Sequence, residues 1–304
     1  MADEIRHVTP EQWGDVDKLV TELLHEPYLL GKFPHMKGSK GAKVIKYSRA
    51  VEVLINETGD KFKYDIMNLP NRIWNEKPVV RKSIPIFIDH QDNDLSAKLS
   101  VQSLLVQEEL EANKKMYDLI SEVIYHGKPL EVPGSEGMVN FTGISSAAAS
   151  AVWTTALAFA ADLEVGVASM RAAHIRPPYD LIVTPGVLSE LRGNYIANIG
   201  NEWKEFKETY MPRLIANVYD TDAITTDGSG NQEDLVTDNQ CFLLVKNDPT
   251  VFYIAETEGI GRLNIPTKEF EADITYLKIW GGTFIPKNVD GIYLCYNGTT
   301  TTAY

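Results

Sequence analysis

The residue types that most often perform chemistry are few in this 304-residue chain, and they are scattered along it. The two cysteines, Cys241 and Cys295, have no histidine near them in sequence, which argues against a thiol–imidazole pair for nucleophilic catalysis. No two of the six histidines have the spacing that places two metal ligands on one helix face. We expect structural or surface roles for all of them: His7, His25, His35, His90, His126 and His174.

Four short strings resemble binding motifs but lack required parts. Gly259-Ile260-Gly261 has neither the third glycine nor the following helix of a dinucleotide site, and Gly38-Ser39-Lys40-Gly41 lacks the spacing of a phosphate loop. Asp92-Asn93-Asp94 and Asp220-Thr221-Asp222 could attract a divalent cation, but neither continues with both the glycine and the glutamate of a calcium loop. Helix capping explains the first and a hydrated loop the second. We therefore predict no catalytic residue, no cofactor and no metal site.

The charge of the chain is unevenly distributed. With 29 basic and 42 acidic residues the formal net charge is −13, which argues against a protein that coats nucleic acid. Residues 41–90 nevertheless carry a net +3, whereas residues 1–40, 91–213 and 214–304 carry −2, −6 and −8. The cationic segment is either an ordinary hydrated hairpin or a surface that meets an acidic neighbour.

Neither a membrane segment nor an export signal is predicted. The N-terminus contains Asp3 and Glu4 and continues into no apolar run, so we expect no leader. The long uncharged stretch over residues 144–161 consists mainly of Ala, Ser and Thr, which favours a buried helix over a bilayer span.

The first half of the chain predicts an arm, a hairpin and a long helix. Thr9-Pro10-Glu11-Gln12 is typical of a helix start, and a glycine-rich connector follows over residues 31–43. Residues 43–56 and 78–90 are typical strands that predict a long hairpin, which would be marginal in water without a partner surface. A helix is predicted from Asp92 to about Tyr125, with Gly127 as its cap.

The second half predicts a compact α/β segment and a set of closing strands. A helix is predicted from Ser145 or Ser146 to about Ala173, and the fold class is α+β without an internal repeat. The later elements are a strand at 179–183, helices at 187–192 and 201–210, and strands at 214–218, 241–246, 251–255, 274–280 and 291–296.

This order of elements, with several local strings, resembles the Hong Kong 97 fold of tailed-virus major capsid proteins and encapsulins. The resemblance covers nearly the whole chain. The strings that carry it are Thr9-Pro10-Glu11-Gln12-Trp13, Leu30-Gly31-Lys32, Gly38-Ser39-Lys40-Gly41, Ser83-Ile84-Pro85-Ile86-Phe87-Ile88, Ile124-Tyr125-His126-Gly127, Pro178-Tyr179-Asp180-Leu181-Ile182-Val183-Thr184-Pro185 and Gly281-Gly282-Thr283-Phe284-Ile285-Pro286-Lys287-Asn288.

The resemblance implies that the chain is divided into the segments and domains of the Hong Kong 97 fold. Residues 1–42 would form the N-terminal helix and arm, 43–90 the extended E-loop hairpin, and 91–143 the peripheral domain with its spine helix. Residues 144–250 would form the axial domain, and 251–304 the closing strands of both domains and the C-terminal tail.

The resemblance also implies a structural protein without catalysis: the major capsid protein of a tailed double-stranded DNA virus. Hexamers and pentamers would form an icosahedral virion capsid, assembled in the host cytoplasm, with portal, scaffold or decoration proteins as further partners. The shell would enclose double-stranded DNA without sequence-specific binding and without a membrane. Lys61, Lys63, Arg81 and Lys82 are the predicted assembly contacts, since they would meet acidic surface on adjacent copies.

Two alternatives remain at this point. An encapsulin shell that encloses a cargo enzyme is favoured by the N-terminal strings. The loop at 220–238, the tail after Gly298 and the lack of a fused cargo domain favour the virus. A cytoplasmic α/β enzyme would require a catalytic cluster that the sequence does not contain.

Overall fold

A computed structural model describes residues 29–49, 73–88, 104–196, 200–224, 240–264 and 274–297. Four predictions lie outside these ranges: the N-terminal helix, the hairpin tip with Lys61 and Lys63, the Asp92-Asn93-Asp94 string and the C-terminal tail. Only the last part of the predicted long helix and the first residues of the 220–238 loop lie inside them.

The described residues form an α+β arrangement, as predicted. The helices are α1 (Leu104–Tyr125), α2 (Ala158–Ala172), α3 (Pro185–Gly193) and α4 (Glu202–Tyr210). The strands are β1 (His35–Lys37), β2 (Val44–Arg49), β3 (Ile73–Pro78), β4 (Val80–Ile88), β5 (Ser145–Ala148), β6 (Tyr179–Val183), β7 (Tyr195–Ile196), β8 (Gly200–Asn201), β9 (Ile215–Asp220), β10 (Gln240–Val245), β11 (Phe252–Asn264), β12 (Ile274–Pro286) and β13 (Ile292–Asn297).

A five-stranded sheet in the order β5-β13-β10-β6-β9 forms the centre of the second half of the chain. Side chains alternate across it, so Leu181 and Phe242 face a cluster with α2, α3 and α4, whereas Ile182 and Leu243 face α1. Strand β6 is buried along its whole length because both faces are covered. We call this sheet with α2, α3 and α4 the five-stranded unit.

A second sheet in the order β1-β11-β12-β4 lies against helix α1. The Glu109 side chain of α1 is fully buried, and its carboxylate accepts a hydrogen bond from Arg262 Nη2 at 2.6 Å. Tyr276 Oη and Lys278 Nζ donate to the same carboxylate. A buried carboxylate needs such partners, and these join α1 to both long strands.

Helix α1 ends at the predicted glycine. Gly127 has φ +69°, its N–H donates to Val123 O at 2.9 Å, and a β-carbon there would lie 1.6 Å from Ser135 O. Only glycine fits both requirements, because other residues strain at positive φ and the neighbouring backbone leaves no room.

Two sequence predictions are wrong. The helix predicted from Ser145 begins only at Ala158, since residues 145–148 pair with β13 as strand β5 and residues 149–157 form an irregular loop. The Asp162 carboxylate organises this loop by accepting hydrogen bonds from Ser150 N and Trp153 Nε1. Tertiary pairing thus overrides the helix propensity of an alanine-rich segment.

The second wrong prediction concerns the hairpin. Its returning strand is β3, at residues 73–78, rather than the predicted 78–90. The chain then passes Val79 into β4, which pairs with β12 in the other sheet. Strand β3 is largely polar, so hydrophobic content did not reveal it.

No helix among the described residues has the length and apolar character needed to cross a bilayer. In the same ranges no cluster of three or more His, Cys, Asp or Glu side chains is arranged to hold a metal ion. Gly259-Ile260-Gly261 lies inside β11, where the pairing with β12 shifts register.

Candidate assembly surface

The arm, residues 29–43, is held along the edge of the four-stranded sheet. Strand β1 runs parallel to β11, with His35 opposite Ile254. The buried Phe33 ring packs edge-on against Phe252, with ring centroids 5.5 Å apart. Asn247 Nδ2 donates to Lys32 O at 3.2 Å. The arm thus extends the sheet by one edge strand, and the Phe33 ring fixes it to β11.

One charged contact joins the arm to this sheet. His35 Nδ1 lies 3.6 Å from Glu256 Oε1, and Trp280 Nε1 donates to the same oxygen at 3.2 Å. The hydrogen bond from His35, then that from Trp280, lowers the pKa of Glu256 against the opposing effect of burial. The contact therefore favours a charged carboxylate.

Strands β2 and β3 form an antiparallel ribbon that we call the hairpin stem. Its inner face packs Tyr47 and Ile45 against Tyr253, Ala255 and Ile285 of the sheet below. Because side chains alternate along a strand, the neighbouring residues point away from the subunit.

The outer face of the hairpin stem presents apolar surface to solvent. Trp74 is 67% exposed, and Val44 is exposed on the same face at the other end of the stem. On the same face, Lys46 Nζ and Glu76 Oε1 form an exposed ion pair at 3.0 Å. Tryptophan is enriched at protein–protein contacts, and most of this one is accessible to solvent.

The inner face of the hairpin stem also contains a buried cation. The Lys77 residue is 2% exposed, and its Nζ has no hydrogen-bond partner among the described residues. Nζ lies 4.2 Å from the centre of the Phe141 ring and 5.9 Å from that of Phe284. Burial lowers the pKa of Lys77 to about 8, and the negative charge of Glu136 opposes this only in part.

The described residues include two of the four predicted assembly contacts, Arg81 and Lys82, and both have partners in the same chain. Lys82 Nζ donates to Glu131 Oε2 at 2.9 Å, and the Lys82 side chain is only 16% exposed. Arg81 Nη2 lies 4.0 Å from Glu258 Oε1 but remains 45% exposed. Arg81 is therefore more available to a neighbouring molecule than Lys82, while Lys61 and Lys63 lie outside the described residues.

The five-stranded unit has a second exposed apolar surface, which the sequence did not indicate. Val152, Leu157 and Tyr195 are all exposed, Tyr195 by 75%. Their two segments are held together because Leu157 N donates to Glu202 Oε1 at 3.0 Å, and Asn194 Nδ2 donates to Glu202 Oε2 at 2.8 Å. A rigid base under exposed apolar side chains is typical of an interface.

The Asp220-Thr221-Asp222 string, for which the sequence predicted a hydrated loop, lies at the end of β9. These residues line an open cleft beside α1 together with Asp118 and Lys32. Lys32 Nζ lies 4.7 Å above the ring of Tyr219. The string thus connects β9 to a short 3₁₀ turn.

Known structures resemble this chain along almost its whole length. A virus-like particle from Pyrococcus furiosus is 14% identical, with a TM-score of 0.61 over 94% of this chain and 99% of that one. The capsid of Myoviridae phage XM1 is 11% identical, with a TM-score of 0.59 over 98% of each chain. The SrpI encapsulin of Synechococcus elongatus PCC 7942 is 9% identical, with a TM-score of 0.56 over 92% and 90%.

Sequence comparison alone does not find these similarities. No protein-family model matches the chain, and no curated protein matches it either.

Proposed function

We propose that this chain, which has the Hong Kong 97 fold of capsid and encapsulin shells, is a structural shell subunit: the major capsid protein of a tailed double-stranded DNA virus. The observation that supports this most directly is the agreement with a phage capsid protein over nearly the entire length of both chains. An enzyme that had reused only part of the fold would not be expected to match over that length.

We assign the elements of the fold to the parts of such a subunit. The hairpin stem is the base of the E-loop in residues 43–90, α1 is the spine helix of a peripheral domain in 91–143, and the five-stranded unit is the centre of an axial domain in 144–250. Residues 1–42 form the N-terminal helix and arm, and 251–304 the closing strands and tail. On this assignment, the exposed Trp74 and Tyr195 face neighbouring subunits.

The proposed assembly is an icosahedral shell of hexamers and pentamers, located in the virion and assembled in the host cytoplasm. It performs no catalysis and encloses double-stranded DNA without reading its sequence, with portal, scaffold or decoration proteins as partners. A net charge of −13 is compatible with this role, because a container does not need to bind its contents tightly.

Electron microscopy of the purified protein tests the proposal. Closed particles of many subunits are expected, whereas a small discrete oligomer would contradict a shell and favour an α/β enzyme. The contents of native particles separate the two kinds of shell. Nuclease-protected double-stranded DNA is expected for a virus, and a packaged enzyme would instead support an encapsulin, whose fold this chain also shares.

The predicted cationic contacts have their own test. Changing Lys61, Lys63, Arg81 and Lys82 together to Gln should weaken assembly several-fold, more at low than at high salt, because screening already suppresses charge attraction at high salt. Sedimentation velocity at two ionic strengths measures the assembled fraction. Lys204→Gln, an exposed lysine of α4, is the matched control.

The four substitutions should also be tested in separate groups, because Arg81 and Lys82 form ion pairs within the subunit. Lys61→Gln with Lys63→Gln should reduce assembly without a change in subunit stability, whereas Lys82→Gln should also loosen its contact with Glu131. Normal shells from the quadruple variant at low salt would contradict the electrostatic contact, while leaving the shell proposal intact.

A further inference from the structure

Lys77 has no part in the proposed shell contacts. It lies on the inner face of the hairpin stem, opposite Ile45 of β2, and is almost completely buried. Aromatic rings approach its Nζ from the loop after α1 and from β12, through Phe141 and Phe284. Ring faces attract an ammonium only weakly compared with a carboxylate acceptor.

The charged side chain that acts on Lys77 from the packed elements is Glu136, and its attraction does not offset burial. The Nζ has no hydrogen-bond partner in the described part of the chain. On the stem itself, the charges of Lys46 and Glu76 are on the opposite, exposed face, where they pair with each other. Burial in such surroundings destabilises the protonated amine relative to the neutral amine.

We propose that Lys77 makes the seating of the hairpin stem on its own subunit dependent on a proton. In the pH range where the buried amine is neutral and the hydrated amine is still protonated, seating of the stem releases up to one proton to solvent, and lifting takes one up. At lower pH, Lys77 carries its proton in both forms. This goes beyond the proposed shell function, because it concerns a single subunit and requires no neighbour.

The direction of the pH effect follows from this linkage. Burial holds the pKa of seated Lys77 near 8, below its ordinary value of 10.5, so the lifted form binds more protons between these two values. Raising the pH through this interval should favour the seated stem, and below pH 8 the preference should level off.

Hydrogen exchange of the full chain measures this directly. Protection factors are determined from pH 7 to pH 9 for residues 44–49 and 73–78, each referred to the intrinsic exchange rate at that pH. In the wild type, protection of the stem should rise about tenfold from pH 7 to pH 9, because the two forms differ by up to one bound proton. Residues 240–245 of β10 are the internal reference and should show no such rise.

Two variants identify the group responsible. Lys77→Met should abolish the pH dependence and increase stem protection at pH 7. Lys46→Met, on the exposed face of the same stem, should retain the wild-type slope. Lys77→Gln serves the same purpose should methionine prevent folding, because glutamine is also uncharged throughout this range. A flat wild-type profile, or an unchanged slope in either Lys77 variant, would overturn the proposal, whether or not the protein forms shells.

Discussion

In the five-stranded unit the buried carboxylates of Asp162 and Glu202 meet N–H donors, whereas the hairpin stem buries an ammonium that has no acceptor among the described residues. Asp162 accepts from Ser150 N and Trp153 Nε1, and Glu202 accepts from Leu157 N and Asn194 Nδ2. Lys77 faces aromatic rings instead. A satisfied buried group supports one rigid arrangement, but an unsatisfied one costs free energy for as long as the contact lasts.

The two regions also differ in where they place their large side chains. Trp153 is completely buried among Phe159 and Phe242 in the unit, whereas Trp74 of the hairpin stem is mostly exposed. The unit thus completes its own core, while the stem has a small inner contact and an apolar outer face. This difference indicates that the unit completes its core within one subunit, whereas the stem leaves apolar surface available to a neighbour.

The largest expected effect is on subunit stability, when each of the two tryptophans is replaced separately by alanine. Trp153→Ala should lower the free energy of unfolding by about 3–5 kcal/mol, because it leaves a cavity in a closed core and removes a donor to Asp162. Trp74→Ala should change that free energy by less than about 0.5 kcal/mol. Denaturant unfolding of the unassembled subunit measures both values.

Among variants that still fold, shell assembly should be reduced more by Trp74→Ala than by Trp153→Ala. Trp74→Ala should reduce the shell yield at a subunit stability close to wild type, and Trp74→Phe should recover part of the yield. Equal losses of subunit stability from Trp153→Ala and Trp74→Ala would break the comparison between the two regions.

A smaller pair of effects should differ in sign. Asp162→Asn should destabilise the subunit by about 1–3 kcal/mol, because the amide replaces one of the two accepting oxygens with an NH2 group that faces a donor. Lys77→Met should stabilise the subunit at pH 7 by up to about 3 kcal/mol, the equivalent of a pKa lowered from 10.5 to about 8.

The size of the Lys77 effect depends on pH. The cost of its burial is fully present below pH 8 and disappears as the pH rises toward 10.5, so wild type and Lys77→Met should converge near that value. Denaturant midpoints at pH 7 and pH 10 give the two differences. A Lys77→Met subunit that is less stable than wild type at pH 7 would show that the ring contacts outweigh the burial of the charge.

The smallest effect is expected at the arm, where the half-buried Glu256 carboxylate has partners. The pKa of Glu256 is lowered by His35 and Trp280, so its stabilising contribution is present above pH 4.5 and is lost as the pH falls through the lowered value. For a partly exposed pair this contribution should be below about 1 kcal/mol. Hydrogen exchange of residues 35–37 between pH 6 and pH 3 should show loss of protection.

Glu256→Gln provides the control at the arm. It should weaken the arm at pH 6 and remove most of the additional loss in acid, while Glu258→Gln should keep the wild-type acid response. An arm whose protection does not change with pH in the wild type would mean that Phe33 and the β1 pairing hold it without help from charge.

Much of the fold could be predicted from local patterns. The α+β class, the end of α1 before Gly127 and the buried strand at 179–183 were predicted correctly, because hydrophobic periodicity and glycine positions depend on neighbouring residues. The Hong Kong 97 arrangement was predicted from the resemblance to capsid proteins and encapsulins. The helix predicted from Ser145 failed because a parallel partner, β13, lies more than a hundred residues away in sequence. Such pairing leaves no local signal.

The candidate surface could be predicted only in part. The alternation of Trp74 and Glu76 with Asn75 and Lys77 was a possible strand signal, but the polar character of β3 concealed it. The pairing of Lys82 with Glu131 and of Arg81 with Glu258 could not be predicted, since both partners come from distant parts of the chain. For the same reason, the exposed group formed by Val152, Leu157 and Tyr195 was missed.

The sequence by itself determined the order of the elements, the net charge of −13 and the concentration of positive charge in residues 41–90, because these are properties of composition and local spacing. Only the tertiary structure decided which charges meet carboxylates, which tryptophan is buried and which lysine loses its water. Burial and pairing depend on what the fold brings close in space, and in this chain the decisive neighbours of Lys77, Phe141 and Phe284, are about sixty and two hundred residues away in sequence.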